Sequence, residues 1–357
     1  MNDLTLGIIG LGFGWEFVSP FQPLQLFRRR RLKRFLGLER DIVTPYQDPP
    51  SIKRLVVCDT DTSRIEAFRR KFPFIAAGYS NIGQMLEKET PDAVCIVTPD
   101  HLHRPHAEQC FAAGCHVLLT KPVACNLEDA RAIIHAAEAA NRTLMVAQER
   151  RFRARNLAVK QMLEAGELGE VVHLRSDITQ DKQEWFRQKP WYATPEAGRS
   201  AITGTGIHEV DLIRHLIGSE IESVAAFGNR LGELEFPKDK TTAALFRFRN
   251  GAIGQVTVTY VAKPKKGRSH AGSFVLTGTK GAVVDNRVAR NRREEWEELP
   301  QEPGFGVNGC VHEFIHSVVH GTKPPVTGRD VFASLAACVA ADESSATGRV
   351  VQPESYD

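Results

Sequence analysis

The chain has 357 residues, 42% hydrophobic and 25% charged, an ordinary globular composition and enough length for two cores. Its 46 basic and 43 acidic residues leave a formal charge of +3, so no charge excess points to nucleic acid or a membrane surface as partner. No apolar run reaches the ~18 residues that span a bilayer, and Met1-Asn2-Asp3 leads into a strand-like segment without the basic-then-apolar opening of a signal peptide.

Short apolar runs at 4–9, 53–58, 92–97, 116–119 and 143–147 read as strands, with helical stretches at 62–72, 104–113 and 126–140 among them. Continuous apolar strands alternating with helices predict a parallel sheet covered on both faces. Asn126 suits a helix cap, followed by Glu128 and Asp129 near the positive helix end, and Asn141 suits a stop. The pattern is Rossmann-like through about residue 149. Cys58 and Cys95 fall in the apolar runs, where a reduced thiol packs as a small hydrophobe, and none of the seven cysteines forms a Cys-x-x-Cys pair. A cytoplasmic setting is expected.

Gly10-Leu11-Gly12-Phe13-Gly14 follows the first strand directly, where a dinucleotide site needs its turn. Gly10 permits the tight turn, and Gly12 lets the backbone approach a pyrophosphate. Trp15 stands where the third glycine of G-x-G-x-x-G belongs, with Gly14 one position early, and is expected to push the next helix from the sheet. Asp59 ends the second strand, where a carboxylate accepts ribose hydroxyls and repels a 2′-phosphate. NAD is therefore expected, with NADP kept open by Arg64. Asp59 comes later than the usual ~20-residue spacing because of an insertion, roughly Pro20 to Pro50, that carries Arg28-Arg29-Arg30-Arg31-Leu32-Lys33-Arg34. That run reads as a solvated excursion or subunit contact rather than a phosphate patch. Thr120-Lys121-Pro122 ends a later strand of the same sheet and places a lysine where a dinucleotide puts its reactive ring. With the glycine turn, it points to a nicotinamide enzyme.

Further along, 241–249 and 252–262 alternate about Asn250-Gly251, a hairpin signal. Other strand candidates lie at 170–179, 221–229, 272–278 and 281–285. A helix is expected over Ile207 to Ile217, with Asp211 one turn after His208, either orienting the imidazole or capping the helix. His312-Glu313-Phe314-Ile315-His316 matches the spacing of a zinc-protease helix. Such a short match arises easily by chance, so no metal is expected.

From Thr98-Pro99-Asp100-His101-Leu102-His103 through Lys121-Pro122, and on through Gln148-Glu149-Arg150-Arg151-Phe152, Gly166-x-x-Gly169-Glu170-Val171 and Gly206-Ile207-His208-Glu209-Val210-Asp211 to the Gly348-Arg349-Val350 tail, the chain resembles the Gfo/Idh/MocA oxidoreductases. The resemblance implies an α/β protein. A Rossmann-type NAD(P)-binding domain would span 1–149, insertion included. A second α/β domain, built on a large open and mainly antiparallel sheet, would span 150–357 and bind substrate and a partner subunit, giving a homodimer or homotetramer. It also implies hydride transfer between nicotinamide and a secondary alcohol or ketone of a sugar or cyclitol. Lys121 and His208 are the catalytic candidates, the lysine with a pKa lowered by like charge and partial burial. Gly10, Gly12, Phe13, Gly14, Asp59, Thr98, Pro99, His103 and Lys121 would hold the cofactor. Lys121, Arg151, Trp191, Tyr192, Thr205 and His208 would line the substrate site. Thr120 replaces the family's glutamate before the lysine. Gly204 replaces its aspartate four residues before the histidine, leaving Thr203 or Thr205 to supply a hydroxyl. A glycosidase or lyase that uses NAD internally, and a non-enzymatic cofactor-binding regulator, are the alternatives; retention of both Lys121 and His208 argues against the regulator.

Overall fold

The computed structural model describes residues 4–21, 52–263, 270–290, 295–300 and 306–357; the arginine-rich segment at 28–34 lies outside them. The chain forms two compact units, Met1–Ala124, Glu128–Phe152 and Glu302–Asp330 in the first, Cys125–Leu127, Arg153–Gln301 and Val331–Asp357 in the second.

The first unit is built on six parallel strands, β1 (Leu4–Ile9), β2 (Ile52–Cys58), β3 (Ile75–Tyr79), β4 (Ala93–Ile96), β5 (His116–Thr120) and β6 (Leu144–Ala147), ordered β3-β2-β1-β4-β5-β6. Every residue of β4 and β6 is buried, which explains the continuous apolar runs: a strand covered on both faces has no polar side. Each buried Val, Ile or Leu stabilises the unit by roughly 1.5–3 kcal/mol before chain entropy is counted. The connecting helices include α1 (Trp15–Val18), α2 (Thr62–Lys71), α3 (Ile82–Glu89), α4 (His103–Ala112) and α5 (Leu127–Ala139). Asp61 caps α2 by accepting from the amides of Ser63 and Arg64, and α5 is followed by Asn141 at φ 51°, the left-handed stop its position suggested. The strand order turns back between β1 and β4, which opens a crevice beyond their carboxyl ends. A later helix, Gly306–His320, packs on β6 and on the short helical turn Glu149–Phe152.

The second unit is built on nine strands: β7 (Val171–Gln180), β8 (Ile221–Asn229), β9 (Thr241–Phe248), β10 (Ile253–Thr259), β11 (His270–Ala271), β12 (Phe274–Gly278), β13 (Gly281–Val284), β14 (Arg287–Arg290) and β15 (Glu297–Glu298). Their order is β15-β14-β13-β12-β7-β10-β9-β8, with β11 on β7. Only β7 and β10 pair in parallel. The β9–β10 hairpin turns through Arg249-Asn250-Gly251, with Gly251 at φ 89° and the Phe248 amide donating to the Ala252 carbonyl. Along β9 burial alternates. Ala244, Phe246 and Phe248 face the covered side, on which helix α8 (Ile207–Ile217) packs against β7 and β10. The opposite side leaves Phe227 79%, Leu245 51% and Ile253 50% exposed. Helices α6 (Ala154–Glu164) and α7 (Gln183–Gln188) complete the elements used below.

Candidate active site

In the first unit the glycine turn is closed by backbone. Gly10 has φ 89°, and a Cβ on it would sit 2.6 Å from the Val97 carbonyl oxygen, so only glycine fits. Gly14 takes the close packing that the displaced third glycine would have given: a Cβ there would lie 2.9 Å from the Gly10 carbonyl oxygen. Trp15 is 49% exposed. Helix α1 spans four residues, with the Glu16 amide donating to the Phe13 carbonyl, so local amides rather than a long helix dipole face the turn. Gly12 is exposed, leaving that face bare.

Asp59 supports the turn from behind. One carboxylate oxygen accepts the Leu11 amide at 2.7 Å, the other the Asp61 amide at 2.9 Å. A carboxylate has about four acceptor positions, so two remain for ribose hydroxyls. Arg64 stands 3.6 Å from the same group and is half exposed. A turn without room for side chains, next to a buried acceptor at the end of β2, fits a dinucleotide.

Lys121 follows β5, half-buried, and its peptide to Pro122 is cis. β5 is joined to β1 through β4, so at ~4.8 Å per strand the lysine lies about 10 Å across the sheet from the glycine turn. His103 links the two loops. Its Nδ1 lies 3.0 Å from the Pro122 carbonyl and its Nε2 3.1 Å from the Thr98 carbonyl, and the ring is fully buried. His103 was expected among the cofactor ligands; with no exposed surface it is instead a brace that ties the Thr98-Pro99 loop to the Lys121 loop. Thr98 Oγ1 lies 3.2 Å from His106 Nδ1. Burial, then the positive charges of His103 and His101, pulls His106 down to about 4. Arg151, expected to grip substrate, is 5% exposed and pairs with Asp330 of the same unit at 2.7 Å.

In the second unit the residues before His208 form a π-helical turn, Ile202–Gly206, which runs into α8. Such turns, rare and costly, are frequent at functional sites. The turn is buried throughout. Where a side chain at 204 would begin, a Cβ would meet the Tyr260 hydroxyl at 2.6 Å and the Arg199 stem at 3.4 Å. Tyr260 donates to Thr205 Oγ1 at 3.0 Å, so Thr205 is engaged with the protein, and Thr203 is tied to Ser200, whose amide donates to its hydroxyl at 2.7 Å. The space of the missing aspartate is thus filled by the Tyr260 phenol and the aliphatic stem of Arg199. No side chain caps α8; Asp211 accepts from Ser334 at 3.1 Å, and does not cap the helix. Trp191 and Tyr192, both half-buried, stack on each other with centroids 3.9 Å apart and lie beneath the Arg199 guanidinium. Arg199 and Tyr260 went unnoticed in the sequence. Arg199 stands five residues before Gly204, a weak signal, and Tyr260 arrives from the end of β10, for which there was none.

On the helix Gly306–His320, His312 is buried and His316 exposed, so the two imidazoles of the zinc-like motif stand in different surroundings. Among the described residues no group of three or more His, Cys, Asp or Glu could hold a metal ion.

Residues 5–148 match the model of the oxidoreductase family with an NAD-binding Rossmann fold, and residues 156–284 that of the GFO/IDH/MocA C-terminal domain. The chain is 26% identical over 295 residues to 1,5-anhydro-D-fructose reductase of Ensifer adhaerens, covering 79% of this chain and 85% of that protein. It is 29% identical over 280 residues to inositol 2-dehydrogenase 2 of Saccharopolyspora erythraea, covering 76% and 79%. The WlbA dehydrogenase from Bordetella pertussis, solved in complex with NADH and UDP-GlcNAcA, superposes with a TM-score of 0.75 at 25% identity, covering 98% of this chain and 99% of that one. With both halves matched by the family's own models, the chain belongs to the Gfo/Idh/MocA family of NAD-dependent oxidoreductases.

Proposed function

We propose that the protein oxidises a secondary alcohol, or reduces the matching ketone, of a sugar, sugar derivative or cyclitol, with Lys121 and His208 handling the proton. The observation that carries this reading is Lys121 on the same sheet edge as the glycine turn, two strands away, with a buried brace fixing its loop. Bound NAD supplies the hydride acceptor or donor. The amides of the Gly10–Gly14 turn and the free acceptor positions of Asp59 hold and orient the dinucleotide, and Asp59 disfavours a 2′-phosphate, so NAD is preferred to NADP. Lys121 Nζ moves the hydroxyl proton, and His208 in the first turn of α8 steadies the oxygen as its charge develops. The first unit binds cofactor. The second binds substrate and, through its open sheet face, a second copy of the chain, giving a homodimer or homotetramer. Among the described residues no helix is long and apolar enough to cross a membrane; we place the protein in the cytoplasm.

Absorbance at 340 nm with NAD and a panel of sugars, sugar acids and cyclitols tests the reading. Steady formation of reduced cofactor with one compound class is expected, falling roughly 10²–10⁴-fold in Lys121→Ala. Full turnover by that variant removes Lys121 from the mechanism. Bound NAD with no net reduction by any compound removes the dehydrogenase reading itself.

A further inference from the structure

Gln148 follows β6 directly and carries an unmet hydrogen-bonding demand. It is 1% exposed, and among the described residues neither its Nε2 nor its Oε1 has a hydrogen-bond partner. Its backbone is engaged: the amide donates to the Val146 carbonyl at 2.9 Å, and the carbonyl accepts the Arg151 amide at 3.1 Å. The side chain alone is left over. A buried carboxamide without partners costs free energy at both ends, because its NH2 and its C=O have each given up water with nothing in exchange. Buried polar groups are nearly always paired, so the missing partner belongs outside the folded chain.

The place of Gln148 in the sheet narrows what that partner is. Thr120 pairs with Ala147 across β5 and β6, so Gln148 is the first position past β6 as Lys121 is the first past β5. In strand order, the carboxyl edge presents Asp59 after β2, the glycine turn after β1, Thr98 beyond β4, Lys121 after β5 and Gln148 after β6. A dinucleotide with its adenosine ribose on Asp59 and its diphosphate on the glycine turn runs its second nucleoside toward Lys121. At ~4.8 Å per strand, Gln148 stands about 14 Å across the sheet from the glycine turn, one strand past the lysine. The nicotinamide ring carries a primary carboxamide, with the same NH2 and C=O as Gln148, so each amide can donate to the oxygen of the other. No hydrogen bond fixes the Gln148 side chain, so turning it toward a ligand breaks none. His103, equally buried, differs because both its nitrogens already face carbonyls.

We infer that Gln148 recognises the carboxamide of the nicotinamide, pairing amide to amide and fixing the rotation of the ring beside Lys121. The inference rests on the dinucleotide reading of the glycine turn and Asp59 and is independent of which sugar is the substrate.

The test measures binding by calorimetry on the full chain without sugar, with NAD, its 3-acetylpyridine analogue and ADP-ribose. The analogue keeps the carbonyl but exchanges the NH2 for a methyl group, and ADP-ribose lacks the ring altogether. NAD is expected to bind about 5- to 50-fold more tightly than the analogue. Gln148→Leu, similar in volume and without the amide, should weaken NAD until that ratio is close to unity and leave ADP-ribose binding unchanged. If the leucine variant loses ADP-ribose as well, Gln148→Asn, which withdraws the amide by one methylene, takes its place with the same expectation. Equal affinity of the unaltered chain for NAD and the analogue, or a preference that survives the substitution, overturns the pairing and leaves internal water as the partner of the amide. Binding of neither ADP-ribose nor NAD overturns the dinucleotide reading and the pairing with it, whereas ADP-ribose binding without discrimination between NAD and the analogue overturns the pairing alone.

Discussion

Gly204 and Tyr260 should behave as a coupled pair. In Gly204→Ala the new methyl would start 2.6 Å from the Tyr260 hydroxyl, so that oxygen must retreat by about 0.8 Å to reach an ordinary contact. Tyr260 is 2% exposed and has Phe186 and Phe236 edge-on at 5.6 and 5.5 Å, so retreat strains the ring and loosens its bond to Thr205. Overpacking costs about 1–3 kcal/mol and the weakened bond about 1 kcal/mol, against a helical gain for alanine of up to about 1 kcal/mol. The net cost is about 1–3 kcal/mol. In Tyr260→Phe the obstacle is gone, and the same alanine should be neutral or stabilising by up to about 1 kcal/mol. Urea unfolding followed by tryptophan fluorescence measures this cycle, because Trp185, Trp191 and Trp296 lie in the second unit and only Trp15 in the first. An alanine cost that is equal in both backgrounds, within about 0.5 kcal/mol, would refute steric coupling at this turn.

Two further outcomes are expected. The folded chain holds His106 neutral down to about pH 4, whereas an unfolded histidine titrates near 6.5. The unfolded state therefore takes up that proton first, and stability present above about pH 6.5 is lost as pH falls toward 4. Full linkage would be about 3 kcal/mol, and partial exposure of the ring reduces it to about 1–2 kcal/mol; His106→Asn should flatten the acid slope of stability measured by denaturant unfolding between pH 7 and 4, and an unchanged slope would exclude His106 as its source. On the open sheet face, Leu245→Arg beside the exposed Phe227 and Ile253 should shift the mass in light scattering toward the monomer. An unaltered mass would mean that this face is not the contact.

Legibility followed burial. β1, β2, β4, β5 and β6 stood out because the stretch of each that is covered on both faces runs continuously apolar, and α8 kept its expected bounds because Gly218, at φ 69°, ends it. β3 was missed: only Ile75 of its five residues is buried, and Gly78 is there because a Cβ would meet Ile65 at 2.2 Å, a requirement of α2 packing that no periodicity reveals. The glycine turn and Asp59 were readable from spacing, yet the role of Gly14 beside Trp15 depends on which atoms it approaches. His103 is a residue type that suits a ligand, and only its burial and its two carbonyl partners show a brace. The π-helical turn was invisible because no periodicity marks it, and the groups packed on it, Tyr260 at Thr205 and Arg199 at Gly204, lie outside the turn.

The late return of 302–330 to the first unit has a consequence for how the protein is made. β6 is the last strand of its sheet, and its edge is met by Thr327 bridging Met145. Gly328 lies so close to Ile134 and Leu144 that a Cβ there would reach 2.8 Å, and Arg151 waits for Asp330. A ribosome adding ~5–20 residues per second spends roughly 9–35 s between residue 152 and the first of these groups. For that interval the nascent Rossmann unit lacks the strand-edge bridge of Thr327 and the carboxylate that Asp330 brings to Arg151, so its completion is tied to synthesis of nearly the whole polypeptide.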